Sequence, residues 1–225
     1  MSDEVKPRVG DGIYTVPEAA HILDLPAGKV RRWLGKYWEM NFLEQSLESG
    51  GYTWGQSRDK AFNFHTLIEI IAVHSLRESG VSFQKIKTAH KVLGDILGTK
   101  YPFSTSRMLT DGKAVFYDDE LYLLALDRDM QRSFKKIVEP FCRKIDFDCA
   151  NFLAERFWPL GKNHSIVVDP HHSFGQPIIV GTNITVDSLL ALIRAGEDKM
   201  MIASLYEISP DKIEDVYIFS QRLVA

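Results

Sequence analysis

"YTVPEAAHILDLPAGKVRRWLGKYW", residues 14–38, decides the reading of this chain. Thr15 and Glu18 stand three apart, the spacing of a capping box. Pro17 falls in the first turn, where its missing N–H is harmless. The apolar pattern carries a helix to Leu23. Asp24-Leu25-Pro26 then breaks it, and Pro26 opens a second helix. Two short helices joined by a tight turn predict a helix-turn-helix. At about 100° per residue, Val30, Trp33, Leu34 and Tyr37 share one arc of the second helix, and Lys29, Arg31, Arg32 and Lys36 share the opposite one. From Pro26 to Lys36 there are four basic residues and no acidic ones. One face packs and the other is cationic, as a helix lying in a major groove against phosphates requires. A solvated basic helix face is the plainer alternative.

Outward from this stretch, "GGYTWGQSRDKAFNF" (50–64) is punctuated by glycine and rich in aromatics, and predicts a β-hairpin, a wing carrying Arg58 and Lys60. The residues assigned to DNA contact are therefore Thr15, Lys29, Arg31, Arg32, Lys36, Arg58 and Lys60. "FHTLIEIIAVHSLRESG" (64–80) predicts a helix closed by Gly80. "SFQKIKTAHKVLGDILG" (82–98) predicts another, capped by Ser82. Its stripe of Ile86, Ala89, Leu93 and Ile96 fits either a dimer seam or packing within the chain.

Residues 1–12 read as a loose tail and 13–100 as a winged-helix domain. In 101–163, Asp111-Gly112 between apolar runs predicts a hairpin. An amphipathic helix follows over 127–141, stopped near Pro140, and one strand is expected around 151–157. Residues 164–225 form a last module, with helices predicted in "TVDSLLALIRAG", "EDKMMIASLYEIS" and "SPDKIEDVYIFSQRL". "IASLYEISPDKIEDV" repeats the helix-turn-helix spacing. Its second helix carries Asp211, Glu214 and Asp215 against Lys212, and phosphate repels such a helix, so a protein partner is expected there. The fold class that results is mainly α with small β-elements (α+β).

Before those helices lies "VVDPHHSFGQPIIVGT" (167–182), with Asp169, His171 and His172 close together. Neighbouring histidines on an extended chain point to opposite faces. No HExxH and no cysteine pair with zinc spacing accompanies them, and no serine or cysteine nucleophile motif does either. The stretch reads as scaffold rather than as a metal or catalytic site, with turns at Asp169-Pro170 and Gly175-Gln176-Pro177, and Gly181-Thr182 leading to a helix cap. No cofactor, metal or catalytic residue is expected.

The wider composition agrees with a soluble globular chain. Its 225 residues are 45% hydrophobic and 25% charged, with a net charge of −3. That charge is mildly skewed: residues 1–100 hold 13 basic against 12 acidic side chains, and 101–225 hold 14 against 18. No apolar run approaches the roughly 20 residues that span a bilayer. The polar N-terminus is not a signal peptide. Two cysteines, Cys142 and Cys149, are too few for a disulfide framework and fit free thiols in the cytoplasm.

Residues 13–98 resemble the winged-helix DNA-binding domain of MerR-like regulators. Residues 165–221 resemble the domain-of-unknown-function 433 family through Asp169, Pro170, Gly175, Pro177, Gly181 and Thr182. The chain departs from that pattern at Asn183, where an arginine is common. The pairing is similar to bacterial antitoxins of VapB type. That resemblance implies an antitoxin that masks a PIN-like ribonuclease toxin and binds its own operator DNA as a homodimer. The alternative is a MerR-like regulator answering a small molecule, with a pocket in the 101–126 region. An enzyme is not expected, because no nucleophile, base and orienting group come together.

Overall fold

The computed structural model describes residues 10–35, 53–55, 60–106 and 139–222. The expected contacts Lys36 and Arg58, most of the tail, the hairpin around Asp111-Gly112 and most of the 127–141 helix lie outside them.

The opening stretch folds as its spacing predicts. A two-residue strand β1 (Tyr14–Thr15) runs into α1 (Val16–Leu23). The Thr15 backbone N–H and hydroxyl both lie 2.7 Å from Glu18 Oε2, and the Thr15 oxygen accepts from the Glu18 N–H. Asp24 adopts a left-handed conformation (φ 56°) that ends α1. After Pro26, α2 (Ala27–Trp33) begins. The hairpin expected over 50–64 is present as β2 (Thr53–Trp54) and β3 (Ala61–Phe62), which pair antiparallel. β1 adds to β3 with Tyr14 opposite Phe62, giving the order β1-β3-β2. The N-terminal strand was not legible, because two residues are too short to show alternation.

α3 (Phe64–Glu78) is capped by Asn63, whose side chain accepts from the Thr66 N–H at 2.9 Å. α4 (Phe83–Leu97) is capped by Ser82 and closed by Gly98 in the left-handed region. The α4 stripe resolves in favour of packing within the chain. Ile86, Ala89 and Leu93 are buried, and Ile96 alone of the four is exposed. Between α3 and α4 lies a polar contact the periodicity conceals. Glu69 and His90 are 0% and 1% exposed, and His90 Nε2 sits 2.7 Å from Glu69 Oε2. The other carboxylate oxygen accepts the Phe103 N–H at 2.8 Å. A buried carboxylate survives only with such partners.

The β-element of the last third is larger than expected. The sequence predicts one strand around 151–157, whereas two form: β4 (Ile145–Phe147) and β5 (Ala154–Phe157). Their turn contains no glycine or proline. Asp148 and Asn151 build it, accepting from the Ala150 and Leu153 N–H groups at 2.8 Å each, and Phe152 takes the positive φ of 64°. β6 (Ile166–Val168) and β7 (Pro177–Ile179) complete an antiparallel sheet of order β4-β5-β6-β7. The strands come from both sides of residue 163, so this sheet ties 145–157 to the stretch beyond it. Pro177 opens an edge strand, where a missing N–H does no harm.

Three helices follow: α5 (Val186–Arg194), α6 (Lys199–Leu205) and α7 (Pro210–Ser220), with Thr185, Asp198 and Ser209 at their N-caps. Buried side chains from all seven named helices and from every named strand but β2 join in one core, and each large aliphatic or aromatic one contributes about 1.5–3 kcal/mol. Arg222, just past α7, closes the molecule. Its guanidinium donates to the Ile22 carbonyl at the end of α1 at 2.7 Å and to the Pro159 carbonyl at 3.0 Å. It thereby satisfies one of the orphan carbonyls of a helix end. His21 stacks edge-on against Phe219 on the same side, with centroids 4.7 Å apart.

Candidate functional site

The predicted cationic face separates into parts. Val30, Trp33 and Leu34 are buried, as the arc requires, and Arg31 and Arg32 are exposed. Lys29 is different. Its ammonium lies 2.7 Å from Glu78 Oε1 on α3 and 5.5 Å from the Trp33 ring centroid, so it pins α2 to α3. Thr15 spends its polar atoms on the capping box. Lys60 is half-buried at the start of β3. Among the described residues, the outward cations of α2 are therefore Arg31 and Arg32. The tether on Lys29 was invisible in sequence because Glu78 lies 49 positions away.

The "VVDPHHSFGQPIIVGT" stretch is the β6–β7 hairpin with its tip. Asp169 organises the tip. One oxygen accepts the His171 N–H at 2.8 Å, and the other lies 3.0 Å from His172 Nδ1. Ser173 and Phe174 take positive φ values of 47° and 55°, and Gly175 one of 86°. The two histidine rings diverge: a Cβ on Gly10 would lie 3.0 Å from His171 Nδ1, while His172 stays with Asp169. Among the described residues no three His, Cys, Asp or Glu side chains cluster as metal ligands.

The tip also docks onto the segment entering β1. The Ile13 N–H donates to the Phe174 carbonyl at 3.0 Å. A Cβ on Gly175 would lie 2.2 Å from Tyr14 Oη, and one on Gly12 would lie 3.3 Å from Pro170 Cβ. Glycine at 175 thus answers both a positive φ and a close approach. Tyr14 is 1% exposed, and its hydroxyl has no hydrogen-bond partner among the described residues. Burial, reinforced by Asp169 and Glu18, pushes its ionisation well above the ordinary tyrosine range. Gly181 (φ 75°) and Thr182 turn the chain from β7 toward α5, the Thr182 hydroxyl donating to the Ile179 carbonyl at 2.8 Å.

Beside the hairpin is a cavity of about 320 Å³, with Val167 and Ile178 in its wall and Arg156, Asp169, His172 and Asn183 around it. Arg156 Nε is buried, 3.4 Å from Asp146 Oδ2, with no hydrogen bond among the described residues. That carboxylate already accepts Trp158 Nε1 at 2.8 Å and Lys162 Nζ at 2.6 Å.

In the helical module, the acidic face of α7 is partly committed inward. Asp215 accepts the Ser165 N–H and hydroxyl and meets His164 Nδ1, each at 2.7 Å. Partial burial pushes the other way, yet these bonds from His164 and Ser165 hold the Asp215 carboxyl below its ordinary range. Glu214 pairs with Lys199 of α6. Asp211 remains exposed. The two cysteines are unpaired. Cys142 is buried, and burial pushes its thiol up to about 12, which removes thiolate reactivity.

The stretch from β6 to the end of α7 is a unit shared with other proteins. Residues 166–219 match the family described as "Protein of unknown function (DUF433)". Over 234 aligned residues, the chain is 25% identical to VapB45 of Mycobacterium tuberculosis, a candidate antitoxin, and the alignment spans 94% of this chain and 95% of that one. The fold is similar to that in the crystal structure of Rv2018 from the same species, with a TM-score of 0.69 and 21% identity over 95% of this chain and 99% of the other. The likeness thus runs through both the α1–α2 region and the DUF433-like region. No helix among the described residues is long and apolar enough to cross a membrane.

Proposed function

We propose that this protein is a cytoplasmic antitoxin that binds and neutralises a PIN-like ribonuclease toxin and binds its own operator DNA as a homodimer. The observation that carries the reading is the end-to-end similarity to a candidate antitoxin, with nearly all of both chains aligned. In this reading, residues 13–100 are a MerR-like winged helix. Arg31 and Arg32 on the outward face of α2 meet phosphates and base edges, and the β2–β3 hairpin with Arg58 and Lys60 touches the backbone. The paired Lys29 contributes less, because its charge is answered by Glu78. Residues 164–225 face the toxin. Neutralisation is a binding event, so no residue of this chain is assigned a catalytic role.

The test is a pull-down of the tagged protein from its native cells, with nuclease added to remove DNA bridging. The expected result is a stoichiometric partner whose sequence carries clustered Asp and Glu on an α/β pattern, the Mg²⁺ site a PIN-like nuclease needs. Recovery of the protein alone would overturn the reading.

One observation favours a second reading, a regulator that senses a small molecule. The cavity beside β6 and β7 sets the Arg156 side chain beside apolar Val167 and Ile178, and it adjoins the hairpin that touches the segment entering β1. Operator affinity that changes with a small carboxylate such as phenylacetate would support this reading. Affinity indifferent to it would count against it.

A further inference from the structure

α6 is amphipathic in the unusual sense. At about 100° per residue, Ile202 and Ala203 point to one side and are buried. Met200, Met201, Ser204 and Leu205 share the opposite arc. There Met200, Met201 and Leu205 are 63%, 61% and 68% exposed. A surface helix normally turns its polar side outward. Scattered exposed hydrophobics are ordinary, but three on one outward arc of a seven-residue helix form a patch of the kind that marks an interface. Methionine also suits a docking face, because its unbranched thioether adapts to a partner's contour.

The surroundings of the patch bear on what covers it. Asp198 stands at its head, accepting the Met200 and Met201 N–H groups at 2.8 and 3.2 Å. Glu197 and Glu207 are exposed at its two ends. Lys199, the one basic residue of α6, is drawn to Glu214. From Val186 to Arg222 there are seven carboxylate and four basic side chains. A second copy meeting this face would set acidic rim against acidic rim, and like-charge juxtaposition is penalised. A ribonuclease, by contrast, must attract a phosphate backbone and therefore carries a basic face.

We infer that the outward face of α6, Met200, Met201 and Leu205, is the docking surface for the ribonuclease partner. Its apolar centre seats against the nuclease, and its acidic flanks lie over the nuclease's basic RNA-binding rim. The inference rests on the antitoxin reading and locates the toxin contact within it. An antitoxin placed this way excludes RNA by occupying the surface that would hold it.

The experiment uses the full chain and the ribonuclease partner recovered with it in the pull-down, each purified, with affinity read by titration calorimetry. Met201→Ala/Leu205→Ala is expected to weaken binding at least tenfold. Leu205→Lys is expected to weaken it more than Leu205→Glu, because only the lysine opposes a basic rim. Ile96→Ala, at an exposed position of α4, should bind like wild type. Melting curves of all variants should coincide, since these side chains are solvent-facing. Tight wild-type binding with unchanged affinity in the double variant would overturn the α6 assignment and leave the antitoxin reading intact. No binding by wild type would remove the antitoxin reading itself. Sedimentation showing a wild-type dimer lost in Leu205→Lys would give the face to a second copy and overturn the inference.

Discussion

Replacing Gly175 by alanine tests the joint between the hairpin and the N-terminal strand. Two costs combine. The residue sits at φ +86°, where a side chain costs about 1–2 kcal/mol. The new Cβ would also stand 2.2 Å from Tyr14 Oη, 2.8 Å from Cζ and 3.2 Å from the Gly12 Cα. The ring cannot swing clear, because Tyr14 is fully buried beside Phe62, with centroids 6.4 Å apart. Overpacking of this kind costs about 1–3 kcal/mol more. Gly175→Ala should therefore destabilise by about 2–5 kcal/mol. Gly181→Ala is the matched control. Its φ is +75° but nothing lies within 4 Å of the added Cβ, so it should lose only the backbone part, about 1–2 kcal/mol. Tyr14→Phe removes a buried hydroxyl that has no hydrogen-bond partner among the described residues and should be close to neutral. Combined with Gly175→Ala it should recover about 1 kcal/mol, a coupling expected of side chains in contact. Urea denaturation followed by tryptophan fluorescence measures all four proteins. A Gly175→Ala midpoint no lower than that of Gly181→Ala would refute the close approach.

Three further predictions follow from the geometry. Glu69→Ala should cost about 3–5 kcal/mol, because it removes the buried carboxylate that meets both His90 Nε2 and the Phe103 N–H; a melting temperature within a degree of wild type would contradict it. Burial pushes His65 from 6.5 down to about 4, so the unfolded chain binds a proton that the folded chain refuses. Stability contributed by this residue is intact above pH 6.5 and is lost as pH falls toward 4. His65→Gln should flatten that part of the urea-midpoint profile, and an unaltered slope would count against the assignment. In a salt-controlled titration with the upstream DNA, Arg32→Ala should weaken binding by about 1–3 kcal/mol if it reads a guanine. Lys29→Ala should have the smaller effect on affinity and the larger one on stability, and the reverse order would place the DNA contact elsewhere.

The local signals in the sequence carried far. Thr15-x-x-Glu18 and Ser82 placed helix starts correctly, because capping is decided by a few adjacent residues. Gly80 marked the end of α3 for the same reason. The hairpin at 53–62 was legible from its glycine and aromatic punctuation. Other features depend on residues far apart in the chain. Glu69 reads as an exposed position in an amphipathic helix, yet it is buried because His90 and Phe103 come to meet it. Strand β4 escaped notice because its turn is built by Asp148, Asn151 and a left-handed Phe152 rather than by glycine. Lys29 reads as one of four equivalent cations until Glu78 arrives from α3. The outward turn of Met200, Met201 and Leu205 also needed the structure, since it depends on which side of α6 the sheet and α7 occupy. Gly175 was legible as a turn residue, but its contact with Tyr14, about 160 positions earlier in the chain, was not.

The central claim is that this chain silences a ribonuclease by binding it. The most direct test titrates the purified full chain into the purified partner recovered with it from its native cells and follows cleavage of a labelled RNA. The account predicts that cleavage falls linearly and stops near one antitoxin chain per nuclease, and that Met201→Ala/Leu205→Ala shifts the end point to a large excess. Cleavage that continues undiminished in the presence of excess wild-type chain would contradict it.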